Sequence, residues 1–224
     1  MSGILENIYQ EHHRGKRRGG FAMLEKERGA LFKKLIGTGK KVLDLGCRDG
    51  VITKYFVEGN DVTGADIDSE ALKNVQKNFG IEILHFDVQS DDWPIQSESF
   101  DVVVAGELLE HLYFPAEIVA RIGRILKCRG LFIGSVPNAF ALKNRIKYLF
   151  AVKNKTPLED PMHINHFSWR ELGDILNRHL TEVKLYSLGN PHFGLTSKFP
   201  ALLAHSIAFC AKKDAGLIGS NLRK

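Results

Sequence analysis

At 224 residues, with 44% hydrophobic and 25% charged side chains, the chain has the composition of an ordinary soluble globular protein and the length for one domain with a sizeable core. Its net charge of +5 favours anionic partners without choosing among nucleic acid, phosphorylated metabolites and a membrane surface. Three scattered cysteines with no C-x-x-C pair argue against a disulfide framework and for a reducing compartment, so a cytoplasmic location is expected. The polar, basic N-terminus lacks a signal-peptide pattern, and no apolar run approaches the roughly 20 residues of a membrane-spanning helix.

Residues 1–40 read as a basic arm followed by a helix. His12, His13, Arg14, Lys16, Arg17 and Arg18 lie between glycines, the composition of a solvated arm that could also hold an anionic partner. From Phe21 to Ile36, Leu24, Leu31, Leu35 and Ile36 recur at helical spacing, and Gly37 and Gly39 stop the helix. Residues 41–213 read as the main domain. It opens with Val42-Leu43-Asp44-Leu45, a buried strand carrying one acid. Gly46 to Gly50 make a sharp turn, and Ile52 to Val57 read as the start of a helix. A strand, a glycine turn and a helix N-terminus form a nucleotide-sized pocket.

The pattern then repeats. Asp61 to Asp66 is a second strand ending in an acid, and Ser69 is placed to cap the next helix. Asp66 lies about 20 residues beyond the turn, where a carboxylate can accept from both hydroxyls of a ribose. Ile81 to Phe86 is a third strand, followed by Asp87-Val88: an acid able to accept from an adenine amino group, beside an apolar side chain that packs the ring. Phe100 to Ala105 is a fourth strand, Glu107 to Leu112 a helical turn, Pro115 the start of a helix ending near Cys128, and Leu131 to Val136 a fifth strand.

A lid-like insertion is expected at about 137–167. Within it, Ala139 to Val152 is amphipathic, with Leu142, Ile146, Leu149 and Phe150 on one face and Lys143, Arg145 and Lys147 adding charge. The helix reads as packed on the domain, with a substrate lid or a membrane-surface contact as the alternatives. Ser168 and Glu171 form a capping box for a further helix. Thr181 to Leu188 is a sixth strand, Asn190 to Pro200 a loop, His205 to Lys212 a last strand, and 214–224 a polar tail.

Strands alternating with helices define an α/β fold, a Rossmann-like doubly wound sheet of about seven strands, with ligands beyond the carboxyl ends of the strands. Asp44, Gly46, Asp66, Asp87 and Glu107 all fall at those ends. A nicotinamide dehydrogenase would want G-x-G-x-x-G after the first strand; here Arg48 and Val51 break that pattern.

The segments VLDLGCRDG, VTGADID, HFDV, SFDVVVAGELLEHL and HINHFSWREL, spread over about Lys41 to Leu180, resemble those of class I S-adenosylmethionine-dependent methyltransferases. The resemblance is to type 11, in the branch of ubiquinone O-methyltransferases and methionine-biosynthesis W-like proteins. It implies a mostly parallel sheet with its last strand antiparallel, and S-adenosylmethionine as cofactor. It further implies that the turn carrying Asp44, Gly46, Cys47, Asp49 and Gly50 holds the cofactor's amino-acid end. Asp66 would then hold the ribose, Asp87 and Val88 the adenine, and Ile67 would pack its other face. Arg48 stands where the family has its middle glycine, a long cation that would narrow the pocket.

Glu107, Glu110 and His111 fall at i, i+3 and i+4, so one helical turn would aim all three at one point. Two carboxylates and an imidazole suit a divalent cation, and His163 or His166 could complete the set. The E-x-x-E-H pattern resembles that of metal-dependent small-RNA 2′-O-methyltransferases and of ubiquinone O-methyltransferases, which favours His163. Without a metal, His111 is the candidate general base. The expected reaction is methyl transfer to a hydroxyl of a small molecule, a glycan or a lipid-linked intermediate. The alternatives are a nucleic-acid-directed methyltransferase and a cofactor-binding module without catalysis. The chain lacks an interleaved basic and aromatic stripe, which ranks nucleic acid lower.

Overall fold

The structure is a computed structural model and describes residues 6–11, 20–189 and 198–215. The basic run at residues 12–18, most of the loop after residue 189 and the tail beyond residue 215 lie outside the described residues.

Seven strands form one sheet in the order β3-β2-β1-β4-β5-β7-β6. They are β1 (Lys41–Leu45), β2 (Asp61–Asp66), β3 (Glu82–His85), β4 (Phe100–Gly106), β5 (Leu126–Pro137), β6 (Thr181–Leu188) and β7 (Ser206–Lys212). Only β7 runs antiparallel to its neighbours, pairing β5 on one side and β6 on the other. The strand order reverses direction beside β1, which pairs β2 on one edge and β4 on the other. That arrangement opens a crevice beyond the ends of β1 and β4.

Alternation along the central strands builds two cores. Val42, Val62, Val102 and Val104 point to one face, where Phe32 and Ile36 of α1 (Glu25–Ile36) cover them. Leu43, Leu45, Val103 and Ala105 point to the other, against Ile118 and Ile122 of α3 (Pro115–Ile125) and Leu172 of α5 (Trp169–Asn177). Between them in chain order come α2 (Ser69–Phe79) and α4 (Leu142–Leu149). Pro115 opens α3, and Ser168 with Glu171 closes a reciprocal cap on α5.

Three local expectations are corrected. Ile52 to Val57 does not become an α-helix; the chain makes a single 3₁₀ turn at Thr53–Tyr55. Asn60 donates from its side chain to the carbonyls of Phe56 and Gly37, which ends the turn and returns the chain to β2 at once. Ser69 does not cap α2. The carboxylate of Asp68 accepts from the amides of Glu70 and Ala71, and a charged acceptor suits the positive helix end. The helix opened by Pro115 ends at Ile125, and β5 begins at once with Leu126 opposite Phe100.

The turn after β1 depends on two left-handed glycines, Gly46 and Gly50, both at φ 78°. A Cβ on Gly50 would lie 2.5 Å from the Phe79 ring. We expect Gly50→Ala to destabilise the fold by roughly 2–4 kcal/mol, combining left-handed strain and overpacking. Chemical denaturation checks this, and an unchanged midpoint would show that the turn relaxes freely.

Candidate active site

One cavity of about 980 Å³ runs across the carboxyl ends of the strands. Its first half lies over β1, β2 and β3. Asp44 is 3% exposed and accepts from the Thr53 hydroxyl at 2.6 Å. Burial pushes its carboxyl up to about 7, with the Thr53 bond opposing. The amides of Gly46 and Cys47 donate to the Ala65 carbonyl, locking the turn onto the end of β2. Asp66 lines the cavity and accepts from the amides of Arg48 (2.8 Å) and Asp68 (2.9 Å). These bonds use two of its roughly four lone-pair sites. Desolvation still raises its carboxyl above the ordinary value. Cys47, Asp49, Ile67, Asp87 and Val88 also line the cavity, whereas Gly50 turns the chain without lining it. Burial raises the Cys47 thiol well above its usual range, which holds it neutral and unsuited to nucleophilic attack.

Arg48 takes the left-handed conformation of a glycine, φ 48°. Its guanidinium bonds Asp49 at 3.1 Å and the Phe21 carbonyl. The long cation therefore binds the chain before α1 to the glycine turn. A second N-terminal contact comes from residues 6–11, which are helical. Glu6 accepts from the amide and hydroxyl of Ser69, and Gln10 donates to Asp68. Tyr9 thereby reaches the cavity, 6.3 Å from the His111 ring.

The second half of the cavity lies over β4, β5 and the start of β7. The expected single turn from Glu107 to His111 does not form. Glu107 adopts φ 58° and the 3₁₀ turn starts at Leu109. Glu107 is thus swung toward α1, where its carboxylate accepts from Ser135 (3.0 Å) and faces the Arg28 guanidinium at 3.5 Å. Arg28 is 3% exposed and lines the cavity. Glu110 is 1% exposed, and neither carboxylate oxygen has a hydrogen-bond partner. Burial, reinforced by the charge of Glu107, drives its carboxyl far above the ordinary range.

The segment before α5 folds back over this turn: the Asn165 amide donates to the Glu110 carbonyl at 2.9 Å. That fold brings His163 to His111, with ring centroids 4.9 Å apart. Ligand atoms of Glu110, His111 and His163 all lie within 4.8 Å of one another. Among the described residues, neither Glu107 nor His166 joins this group. His111 Nδ1 sits 2.8 Å from the Met162 carbonyl and His163 Nδ1 3.0 Å from the Pro157 carbonyl. A carbonyl only accepts, so each Nδ1 carries a proton, while His163 Nε2 lies 4.0 Å from the Asp160 carboxylate.

Helix α4 stands over the same half, and its amphipathicity is reversed. Leu142, Ile146, Leu149 and Phe150 are 44%, 52%, 81% and 73% exposed, while Asn144 is 2% exposed. The helix packs on the domain as expected, but through its polar face at Asn144, and the apolar stripe faces outward. The polar face, with Lys143, Asn144 and Lys147, lines the cavity instead.

A profile described as a methyltransferase domain matches residues 43–134. A ubiquinone biosynthesis O-methyltransferase of Photobacterium profundum is 32% identical over 120 residues, 51% of this chain and 49% of that protein. Its namesake from Nitrosococcus oceani is 35% identical over 119 residues, again 51% and 49%. The chain spans about half the length of the curated relatives it matches. Among solved structures, a 1,6-didemethyltoxoflavin-N1-methyltransferase of Burkholderia thailandensis superposes with TM-score 0.67 at 20% identity, covering 95% of this chain and 88% of that one. A possible histamine N-methyltransferase of Thermotoga maritima gives 0.68 at 17%, covering 96% and 100%. At these identities the solved structures speak for the fold alone. Residues 43–134 thus resemble a methyltransferase domain, and the fold is that of the solved methyltransferases on which the chain superposes. No helix among the described residues is long and apolar enough to cross a membrane.

Asp44 links folding to pH. Its carboxyl rises from 3.8 unfolded to about 7 folded. The folded chain therefore keeps a proton that the unfolded chain releases, and stability falls as pH rises from about 4 through 7. Above that window the ionised, buried group costs on the order of 4 kcal/mol. We expect Asp44→Asn to raise the melting temperature, by more at pH 8 than at pH 5. Equal gains at both pH values would show that Asp44 is not held protonated.

Proposed function

We propose that the chain transfers a methyl group from S-adenosylmethionine to a hydroxyl of an acceptor that lies between the Glu110 turn and α4. The observation that carries this reading is one continuous cavity with two differently built halves. The first half has the acids and the turn that a nucleoside needs. Asp66 retains free lone pairs for the ribose hydroxyls, Asp87 and Val88 flank the adenine, Ile67 packs its other face, and the Asp44 to Asp49 turn receives the amino-acid end. When bound there, S-adenosylmethionine supplies a methyl carbon on a cationic sulfur that leaves as a neutral thioether. What the protein must add is alignment, and positioning alone can supply several kcal/mol, up to roughly 10.

The acceptor's proton falls to His111. Its Nδ1–H is fixed on the Met162 carbonyl, and its Nε2 is the atom that would take the proton. Glu110, His111 and His163 also fit a divalent cation. An unbonded buried carboxylate beside two imidazoles whose far nitrogens donate to carbonyls is the pattern of metal ligands with their outer shell in place. A cation there would lower the pKa of a bound hydroxyl. The relatives named for ubiquinone biosynthesis O-methylation support an O-acceptor. The outward apolar stripe of α4 at the cavity mouth supports an acceptor with an apolar part, a lipid-linked one among the classes considered. It also supports reading 137–167 as a lid.

Incubation with methyl-labelled S-adenosylmethionine and a metabolite extract should label an O-methyl product. Asp66→Ala should weaken S-adenosylhomocysteine binding by about 1–3 kcal/mol. NAD binding with no S-adenosylmethionine binding would overturn the reading. With the acceptor in hand, chelation should depress activity and Glu110→Gln should lower metal content. Full activity in metal-free protein would leave His111 as base alone.

A further inference from the structure

The wall of the cavity beneath α4 is built unlike the rest. The Lys143 ammonium lines the cavity and makes no hydrogen bond or ion pair with any described residue. Lys147 lines it one turn later, its ammonium donating to the carbonyls of Asn154 (2.9 Å) and Lys155 (3.5 Å), and Lys155 lines it too. His205, just before β7, completes the wall with a buried Nδ1 that has no partner. Asn144 donates to the Asn138 carbonyl at 3.0 Å, but its buried Oδ1 has no partner. Burial and the charge of Lys147 lower the Lys143 ammonium, and burial followed by the charge of Lys143 lowers His205. Lys143, Lys147 and His205 thus share one electrostatic neighbourhood; of the carboxylates lining the cavity, Glu107 is held by Arg28 and Ser135, and Glu159 accepts from the Lys155 amide at 2.7 Å.

Asn144 Oδ1 and His205 Nδ1 are buried polar atoms without a partner, and a ligand that reaches them supplies the bonds they lack. Lys143 and Lys155, both exposed, and the half-buried Lys147 add positive charge along the same wall. The strand order separates this wall from the nucleoside half, since α4 and His205 belong to β5 and β7, two and three strands from β1.

We propose that Lys143, with Lys147, Lys155 and His205 around it, is the subsite for an anionic group of the methyl acceptor, a carboxylate or a phosphate. The unpartnered Oδ1 of Asn144 receives a donor on the same molecule. The acceptor is thus bipolar: its anion lies under α4, and the hydroxyl to be methylated points toward His111 and Glu110. The charge supplies orientation as well as affinity, because the lysines that line the cavity all lie along this one wall. This inference rests on the methyltransferase reading for the identity of the ligand as an acceptor, but not for the binding of an anion.

The test uses the full chain and three small probes: benzoate, phenyl phosphate and neutral benzamide, each titrated by calorimetry or saturation-transfer NMR with and without S-adenosylhomocysteine. At least one anion should bind in the low-millimolar range, and benzamide should not. Lys143→Met should weaken the anion about ten- to a hundredfold, the scale of lost charge-assisted hydrogen bonds, and Lys143→Arg should restore it. S-adenosylhomocysteine affinity should be the same in all three proteins. Whichever of benzoate and phenyl phosphate binds more tightly names the anion. Benzamide binding as well as the anions, no anion binding, or wild-type anion affinity in Lys143→Met would each overturn the proposal. So would loss of S-adenosylhomocysteine affinity in Lys143→Met, which would assign the lysine to the cofactor. If wild type binds no S-adenosylhomocysteine while the anion still depends on Lys143, the methyltransferase reading fails and the anion site stands.

Discussion

Two buried carboxylates, Asp44 and Glu110, and the half-buried Asp66 stand at the ends of the central strands, and the site depends on that constraint. Asp44 is pushed up to about 7, and Asp66 and Glu110 are raised as well, in each case chiefly by burial. An acid so placed is poorly solvated and only partly compensated by the bonds it accepts. It is therefore prepared for a ligand that brings either positive charge or hydroxyl donors. S-adenosylmethionine brings both, an ammonium and a sulfonium at one end and a ribose at the other. Thr53, the Arg48 and Asp68 amides and the Gly46 turn hold the acids in place without neutralising them. Rigidity in this part of the chain comes from the strands themselves, whose side chains are buried on both faces.

The sheet order divides the labour. In the proposed reading strands β1 to β3 present the nucleoside side, and β4, β5 and β7 the acceptor side. Because β7 is antiparallel, its first residues, not its last, reach the cavity. His205 and Ser206 therefore stand beside Pro137 and Lys143 although they are far apart in sequence. The acceptor half is thus assembled from a strand end, a strand start, a reversed amphipathic helix and the folded-back segment around His163. It has more ways to vary than the nucleoside half, which is set by one turn and two strand ends.

That division also explains what was legible beforehand. The sheet, the capping box at Ser168 and the strand-end acids follow from local rules, since period-two hydrophobicity and a glycine turn require no knowledge of distant contacts. Regular helical spacing would bring Glu107 to the point where Glu110 and His111 meet, and the structure does not place it there. A left-handed residue at the strand end breaks that spacing, and only the buried Arg28 explains where the side chain goes. In the sequence Arg28 is one charge among many on a surface-like helix. For α4, amphipathicity told that the helix has two faces but not which one meets the protein, because an apolar stripe facing solvent contradicts the usual sign of the argument. Asn144 and His205 carried no signal; their meaning lies in partners they lack.

The central claim is that burial keeps Asp44 protonated until a cationic cofactor ionises it. Calorimetry of S-adenosylmethionine binding in two buffers of different ionisation heat tests it directly, with titrations between about pH 5.5 and pH 7.5. The account predicts affinity that rises with pH across this window and a net release of protons on binding, larger for S-adenosylmethionine than for S-adenosylhomocysteine, which lacks the sulfonium charge. Binding that is independent of pH, or that takes up protons, would contradict it.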